Sequence, residues 1–251
     1  YMLGILHDPW QKMHMGITAE NVAERYHISR QMQDELAVLS QARAAAAIAA
    51  GRFKEQIVPV EIASRKGTIV FDTDEHVRGS TTIDTLAGMK PAFKKEGGSV
   101  TAGNASGIND GAAAVTLVAG DRVQALGVKP LARLVGYAHA GVDPAYMGIG
   151  PVPATQKVLA RTGLKIQDMD VIEANEAFAA QACAVIQELG MDPAKVNPNG
   201  SGISLGHPVG ATGAIITTKA IYELQRTGGR YALVTMCIGG GQGIAAIFER
   251  V

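Results

Sequence analysis

The sequence predicts an α/β protein, a layered and partly parallel sheet that takes its ligands at the carboxyl ends of the strands. Three observations lead there. From residue 112 onward, short apolar runs alternate with helical patterns. Glycines stand where those helices stop. Eleven of the 30 glycines crowd into residues 197–251, where some backbone has to turn tightly. At 251 residues, 47% hydrophobic and 18% charged, the chain has material for one large or two modest domains with a real core, which excludes intrinsic disorder as a class.

Thr18 opens a short helix through Glu24, and Ser29 caps a longer one that runs from Gln31 through the alanine-rich stretch 42–50 to a stop at Gly51. Residues 57–98 read as irregular, with β-like pieces at 57–62 and 68–71; so long an irregular stretch in a compact protein marks function. The alternation then begins. Residues 112–118 form an apolar strand, 121–126 a short helix and 131–139 another strand. A helix at 153–162 ends on Gly163, a strand follows at 170–174, and a helix at 176–189 ends on Gly190. Pro208 starts the next helix, through about Arg226. Strands at 231–236 and 244–249 close the chain as a hairpin around Gly239-Gly240-Gly241-Gln242-Gly243. No repeat period points to a solenoid.

The charges balance, 23 Lys+Arg against 23 Asp+Glu, which removes the electrostatic case for a nucleic-acid or acidic-membrane partner and leaves a small polyanion open. Cys183 and Cys237 belong to no CxxC pair or His-rich tract, so neither a disulfide framework nor a metal site is expected, and a reducing, cytoplasmic setting fits. Apolar runs fall well short of the ~20 residues of a membrane helix. The start at Tyr1 rather than Met reads as a cut or a processing site.

Three constellations carry chemistry. In Val171-Ile172-Glu173-Ala174-Asn175-Glu176-Ala177-Phe178 an apolar strand runs straight into a helix; the Asn175 amide there either caps that helix or points out of the strand end to hold a water or a substrate oxygen. In Gly206-His207-Pro208, Pro208 as first helical residue places His207 at a helix mouth, where imidazolium is disfavoured; the ring is then a base or an N–H donor, or merely a surface cap. In Cys237-Ile238-Gly239-Gly240-Gly241 a buried strand delivers a thiol beside glycine N–H groups free to converge on a developing negative charge. A free thiol titrates near about 8.5, close enough to neutrality to exchange protons if its neighbours tune it. Cys183, in mid-helix, reads as inert packing.

Together these three motifs resemble the carboxyl-terminal motifs of the thiolases, and the wording between them is similar to bacterial β-ketothiolases of the acetyl-CoA acetyltransferase type. His14-Met15-Gly16-Ile17-Thr18, Thr101-Ala102-Gly103-Asn104-Ala105-Ser106-Gly107 and Met147-Gly148-Ile149-Gly150-Pro151 resemble further signatures of that family. The resemblance implies a thiolase-like layered fold: a loop domain over residues 1–107, the last strand of the N-terminal half over 108–121, and a complete C-terminal half over 122–251. It also implies reversible condensation of two acyl-CoA molecules, acetyl-CoA and perhaps propionyl-CoA, to a 3-oxoacyl-CoA through a cysteine acyl-enzyme. The alternatives are a degradative 3-ketoacyl-CoA thiolase of fatty-acid breakdown or an inactive acyl-CoA-binding fragment. A decarboxylating condensing enzyme, which usually has histidine where Cys237 stands, is disfavoured.

By the same resemblance Cys237 is the acid/base cysteine and His207 activates the nucleophile and lines an oxyanion hole. Asn175 holds the water that completes that hole, and the Gly239 amide serves a second one. Coenzyme A, as substrate and product rather than a bound cofactor, meets Ser106 and Ala102 with its pantetheine. Arg78 and His14 lie toward its nucleotide, and Met15 is a further contact. Phe93, Met147 and Phe178 border the thioester pocket, although core packing explains the last two equally well. The nucleophile itself is expected upstream of Tyr1, so residues 1–251 alone are expected to lack a competent site. A homotetramer or dimer is expected, and the resemblance to β-ketothiolases that make short 3-oxoacyl-CoA for polyhydroxyalkanoate synthesis implies short substrates.

Overall fold

The computed structural model describes residues 2–251; the Tyr1 start lies outside them. After a short helix α1 (Met2–Ile5), helix α2 (Met15–Arg25) starts three residues ahead of the expected Thr18, capped by His14, whose Nδ1 accepts the Gly16 N–H at 2.9 Å. Helix α3 (Arg30–Ala49) is capped as anticipated, with Ser29 Oγ accepting from the Met32 N–H at 3.2 Å and Gly51 taking φ +68° just past its end. An antiparallel hairpin, β1 (Val60–Ser64) and β2 (Gly67–Phe71), stands exposed along its whole length, and α4 (Ile83–Ala87) follows.

The stretch 112–118 is not the strand the sequence predicts. It runs irregular and exposed, Leu117 by 76%, into a 3-10 turn and α5 (Val123–Leu126). An apolar run becomes a strand only where a neighbour completes its hydrogen-bond ladder, and among the described residues none lies beside it.

The sheet that organises the rest has the order β3-β6-β5-β4, built from β3 (Ala132–Gly141), β4 (Val171–Ala174), β5 (Tyr231–Ile238) and β6 (Gln242–Arg250). β6 pairs antiparallel with β3 and β5, while β4 lies parallel to β5, with Ala174 opposite Thr235. Helix α6 (Pro151–Thr162) and helix α7 (Ala179–Leu189) cover one face. There Val158, Ala180 and Val185 pack with Ile172, Leu233 and Ile247. Two more helices follow in the chain, α8 (Gly202–Leu205) and α9 (Thr212–Thr227), and α9 covers the other face. Its Ile216, Ala220 and Leu224 meet Val171, Ala232 and Val234. The two-residue period of β5 therefore sends Leu233, Thr235 and Cys237 to the α6–α7 face, and Ala232 and Val234 to α9. The helix stops at Gly163 and Gly190 are left-handed, as their positions require.

Two helix starts differ from expectation. α7 begins at Ala179 rather than Glu176 because residues 175–178 bond to a neighbouring loop instead of joining the helix: Phe178 is extended and bridges to Ala105, Ser106 N–H donates to the Ala177 carbonyl at 3.0 Å, and Ala179 N–H to the Asn104 carbonyl at 2.8 Å. α9 begins at Thr212 rather than Pro208; residues 209–211 form a turn whose Pro208 carbonyl accepts from the N–H groups of Ala211 and Thr212, and the regular helix follows it.

Candidate active site

The carboxyl ends of β4 and β5 converge with the loop before α9. Asn175 N–H donates to the Thr235 carbonyl at 3.0 Å, which seats Asn175 beside the strand end that carries Cys237. Its amide Nδ2 lies 3.4 Å from His207 Nε2. Asn175 does not cap α7; its Oδ1 is buried without a partner among the described residues, the arrangement of a group kept for an incoming ligand.

His207 precedes a turn, not a helix terminus. Its N–H donates to Asn109 Oδ1 at 3.1 Å, and its Nδ1 lies 2.6 Å from Thr212 Oγ1. Burial pushes its pKa down to about 4; the ring is neutral as expected, but desolvation is the cause, not a helix dipole. Asn109 in turn lies 3.4 Å from His76, whose pKa is lowered by burial and then by the Arg78 charge. The sequence singled out none of Asn109, Thr212 and His76. Their trace was in the glycines: a Cβ at Gly206 would stand 2.6 Å from the Asn109 side chain, and one at Gly107 2.5 Å from His76.

Cys237 is buried with Met147 and Ala177, and Met15 and Phe178 pack against them. Burial raises its thiol to about 11, well above the range its exposed chemistry would give, so it rests protonated. A Cβ on Gly239 would stand 2.7 Å from Met15 Cε, which brings the first glycine of the turn to the same wall. Phe93 extends that wall, stacked on His14 at 4.7 Å between centroids and edge-on to Phe178 at 6.2 Å. Gly16 admits the Phe93 ring where any Cβ would collide with it at 2.4 Å.

Of the sequence-predicted residues, the structure thus gathers Asn175 with His207, and Cys237 with Met15, Met147, Phe178, Phe93, His14 and Gly239. Ser106 joins through its backbone bond to Ala177. Ala102 and Arg78 stay on exposed loop, Arg78 with its N–H on Gln41 Oε1 at 2.7 Å. Cys183 is remote from this group: its thiol donates to the Met32 carbonyl at 3.7 Å and is raised to about 12 by burial and then by Glu176.

A buried polar lattice lies behind the strand end. Glu176, fully buried, accepts from Ser40 Oγ at 2.6 Å and Asn197 Nδ2 at 2.9 Å. Burial raises its carboxyl, against the pull of those two bonds. Asn197 also receives Ala174 N–H at 2.9 Å. Lys219 of α9, 4% exposed, donates to Glu173 at 2.7 Å and to the Gly200 carbonyl at 2.5 Å. Among the described residues no cluster of three or more His, Cys, Asp or Glu side chains could hold a metal ion, and no helix is long and apolar enough to cross a membrane.

Known proteins resemble this chain closely in sequence and fold. Beta-ketothiolase BktB of Cupriavidus necator is 68% identical over 250 residues, 100% of this chain and 64% of that protein. The crystal structure of the Bacillus anthracis acetyl-CoA acetyltransferase superposes with a TM-score of 0.97 at 50% identity, covering 100% of this chain and 63% of that one. Human mitochondrial 3-ketoacyl-CoA thiolase in complex with CoA does so at 0.90 and 44% identity, covering 98% and 61%. The chain therefore spans less than two thirds of the length of these relatives. The family model for the thiolase N-terminal domain matches residues 2–121, the one for the thiolase C-terminal domain matches residues 128–250, and the chain belongs to the thiolase family.

Proposed function

We propose that these residues carry the acid/base side of an acyltransferase that reversibly condenses two acyl-CoA molecules to a 3-oxoacyl-CoA, with acetyl-CoA and short homologues as substrates. The observation that carries the reading is the convergence of Asn175, His207 and a buried protonated Cys237 at two neighbouring strand ends beside a wall of Met15, Met147, Phe93 and Phe178. In the cleavage direction a cysteine thiolate attacks the 3-oxo carbonyl and the α–β carbon bond breaks. The Cys237 thiol then delivers its proton to the α-carbon of the departing acetyl-CoA, and the acyl group leaves on a second coenzyme A. A thiol that rests protonated suits that donor role. His207 takes the nucleophile's proton, and the Asn175 amide orients a water toward the thioester oxygen. The Gly239 N–H serves the second oxyanion.

Neither cysteine present supplies the nucleophile: Cys183 sits in mid-helix and Cys237 is the acid. In this proposal the nucleophile comes from the part of the longer protein outside these residues, which also pairs with the strand-like segment 108–121. Residues 1–107 act as a loop domain for coenzyme A and 122–251 as the C-terminal half. Ser106 and Ala102 lie along the pantetheine, and His14 and Arg78 toward the nucleotide. The enzyme works in the cytoplasm as a homo-oligomer, a dimer or tetramer, with no tightly bound cofactor.

The test is acetoacetyl-CoA cleavage by the full-length protein. Cys237→Ala is expected to lower kcat by about 10²–10⁴-fold, the usual worth of a positioned acid/base group, with coenzyme A binding retained by calorimetry. Near-normal turnover in that variant removes Cys237 from the chemistry.

A further inference from the structure

We propose that Thr212 is a positioning residue that fixes the tautomer of His207, holding the ring proton on Nδ1 and leaving the Nε2 lone pair as the only proton acceptor. This rests on the thiolase reading above for its catalytic consequence, but not for the tautomer itself.

The assignment follows from counting protons. Thr212 is buried and has one hydroxyl proton. Its oxygen lies 2.9 Å from the Pro208 carbonyl and 2.6 Å from His207 Nδ1. A carbonyl only accepts, whereas a neutral ring nitrogen either donates or accepts. At the far side of the ring the Asn175 amide nitrogen, which only donates, faces Nε2 at 3.4 Å. With the proton on Nε2, two donors would confront each other there. With the proton on Nδ1 each contact of the ring is served: Asn175 N–H to Nε2, Nδ1–H to Thr212 Oγ1, and the Thr212 hydroxyl to the Pro208 carbonyl, which also accepts from the Ala211 and Thr212 N–H groups; of these groups Asn175 Oδ1 alone stays open toward a ligand. The placement also explains why the loop closes as it does. The turn that delays α9 to Thr212 brings that hydroxyl level with the ring five residues earlier.

The consequence is directional. When the nucleophilic cysteine thiol gives up its proton, the S–H bond breaks and an N–H bond forms at Nε2, because Nδ1 is already filled. The same new N–H then donates to the thioester oxygen as that oxygen gains negative charge. A ring free to hold its proton on either nitrogen would spend part of its time unable to take this proton.

Two readouts test it on the full-length protein. Nitrogen-15 imidazole spectra of the wild type are expected to show Nδ1–H for His207, and those of Thr212→Val a shift toward Nε2–H; an Nε2–H wild type overturns the proposal whatever the activity. In acetoacetyl-CoA cleavage, Thr212→Val is expected to lose about tenfold or more in kcat with KM within twofold. Thr212→Ser, which restores the hydroxyl, is expected to recover most of the rate. An unchanged kcat in an active Thr212→Val enzyme overturns the catalytic role. Should the valine variant fail to fold, the wild-type and serine spectra still decide the tautomer. A wild type with no thiolytic activity defeats the functional reading alone and leaves the tautomer to be read from the spectra.

Discussion

The two ends of the candidate site are held in different ways. Asn175, His207 and Cys237 stand at strand ends or on a loop pinned to them, and their positions are set by ladder register, buried hydrogen bonds and a covered core. Arg78 and Ala102 are exposed, on loops of the first third. Under the proposed function, the difference follows what each end would have to do. Groups that move protons need fixed spacing, which rigid elements supply. Contacts to a long flexible polyanion need reach and charge, which loops supply.

The comparison breaks most sharply at Lys219. Lys219→Met leaves Glu173 buried without its cation, and breaking such a pair costs about 3–5 kcal/mol; chemical denaturation should show that loss. The double variant Lys219→Met with Glu173→Met should recover most of it, since a buried pair is often replaceable by apolar groups of similar size. If the single variant is as stable as wild type, the lattice does not fix the strand end.

Next comes Asn175→Ala, expected to lose about 10²–10³ in kcat, the worth of one oxyanion donor, with KM little changed in steady-state cleavage of acetoacetyl-CoA. A rise in KM alone would move Asn175 to the binding side of the comparison.

A third effect concerns pH. The folded-state pKa of His207 lies at about 4, below the usual 6.5. Stability tied to its burial is therefore fully present above about 6.5 and is lost as pH falls toward 4, because the unfolded chain takes up the proton first. The loss is at most about 3 kcal/mol. Denaturation midpoints of wild type and His207→Gln should converge across that window; parallel curves would mean that the ring is not buried as described.

The smallest effect belongs to the loop side. Arg78→Ala should raise KM for coenzyme A a few-fold with kcat held, and the gap should narrow with added salt, as for an exposed charge.

Sequence and structure agree where local signals act alone. The strand running into Asn175, the hairpin around Gly239–Gly243, the Ser29 cap and the glycine stops were all legible, because period, capping and φ preference are properties of short segments. The apolar stretch 112–118 misled because a strand is a property of a pair, and its partner is not among the described residues. Pro208 misled because a proline that can open a helix can equally open the single turn that precedes this one. The Asn109 contact to His207 and the Glu173–Lys219 pair join residues far apart in the chain, whereas the Thr212 contact is local and depends on the turn after Pro208. The thiol was expected close to neutrality, and only its packed surroundings show that burial drives it upward.

One consequence of the strand parity in β5 concerns how this sequence can vary. Substitutions at Leu233 or Val234 change how well a face is filled and leave every neighbour facing the same way. Inserting or deleting one residue between Tyr231 and Cys237 turns the thiol from the α6–α7 face toward α9 and brings apolar side chains to the wrong sides. The length of that segment is thus under tighter restraint than its composition, and natural variants should differ there by exchange of residues rather than by their number.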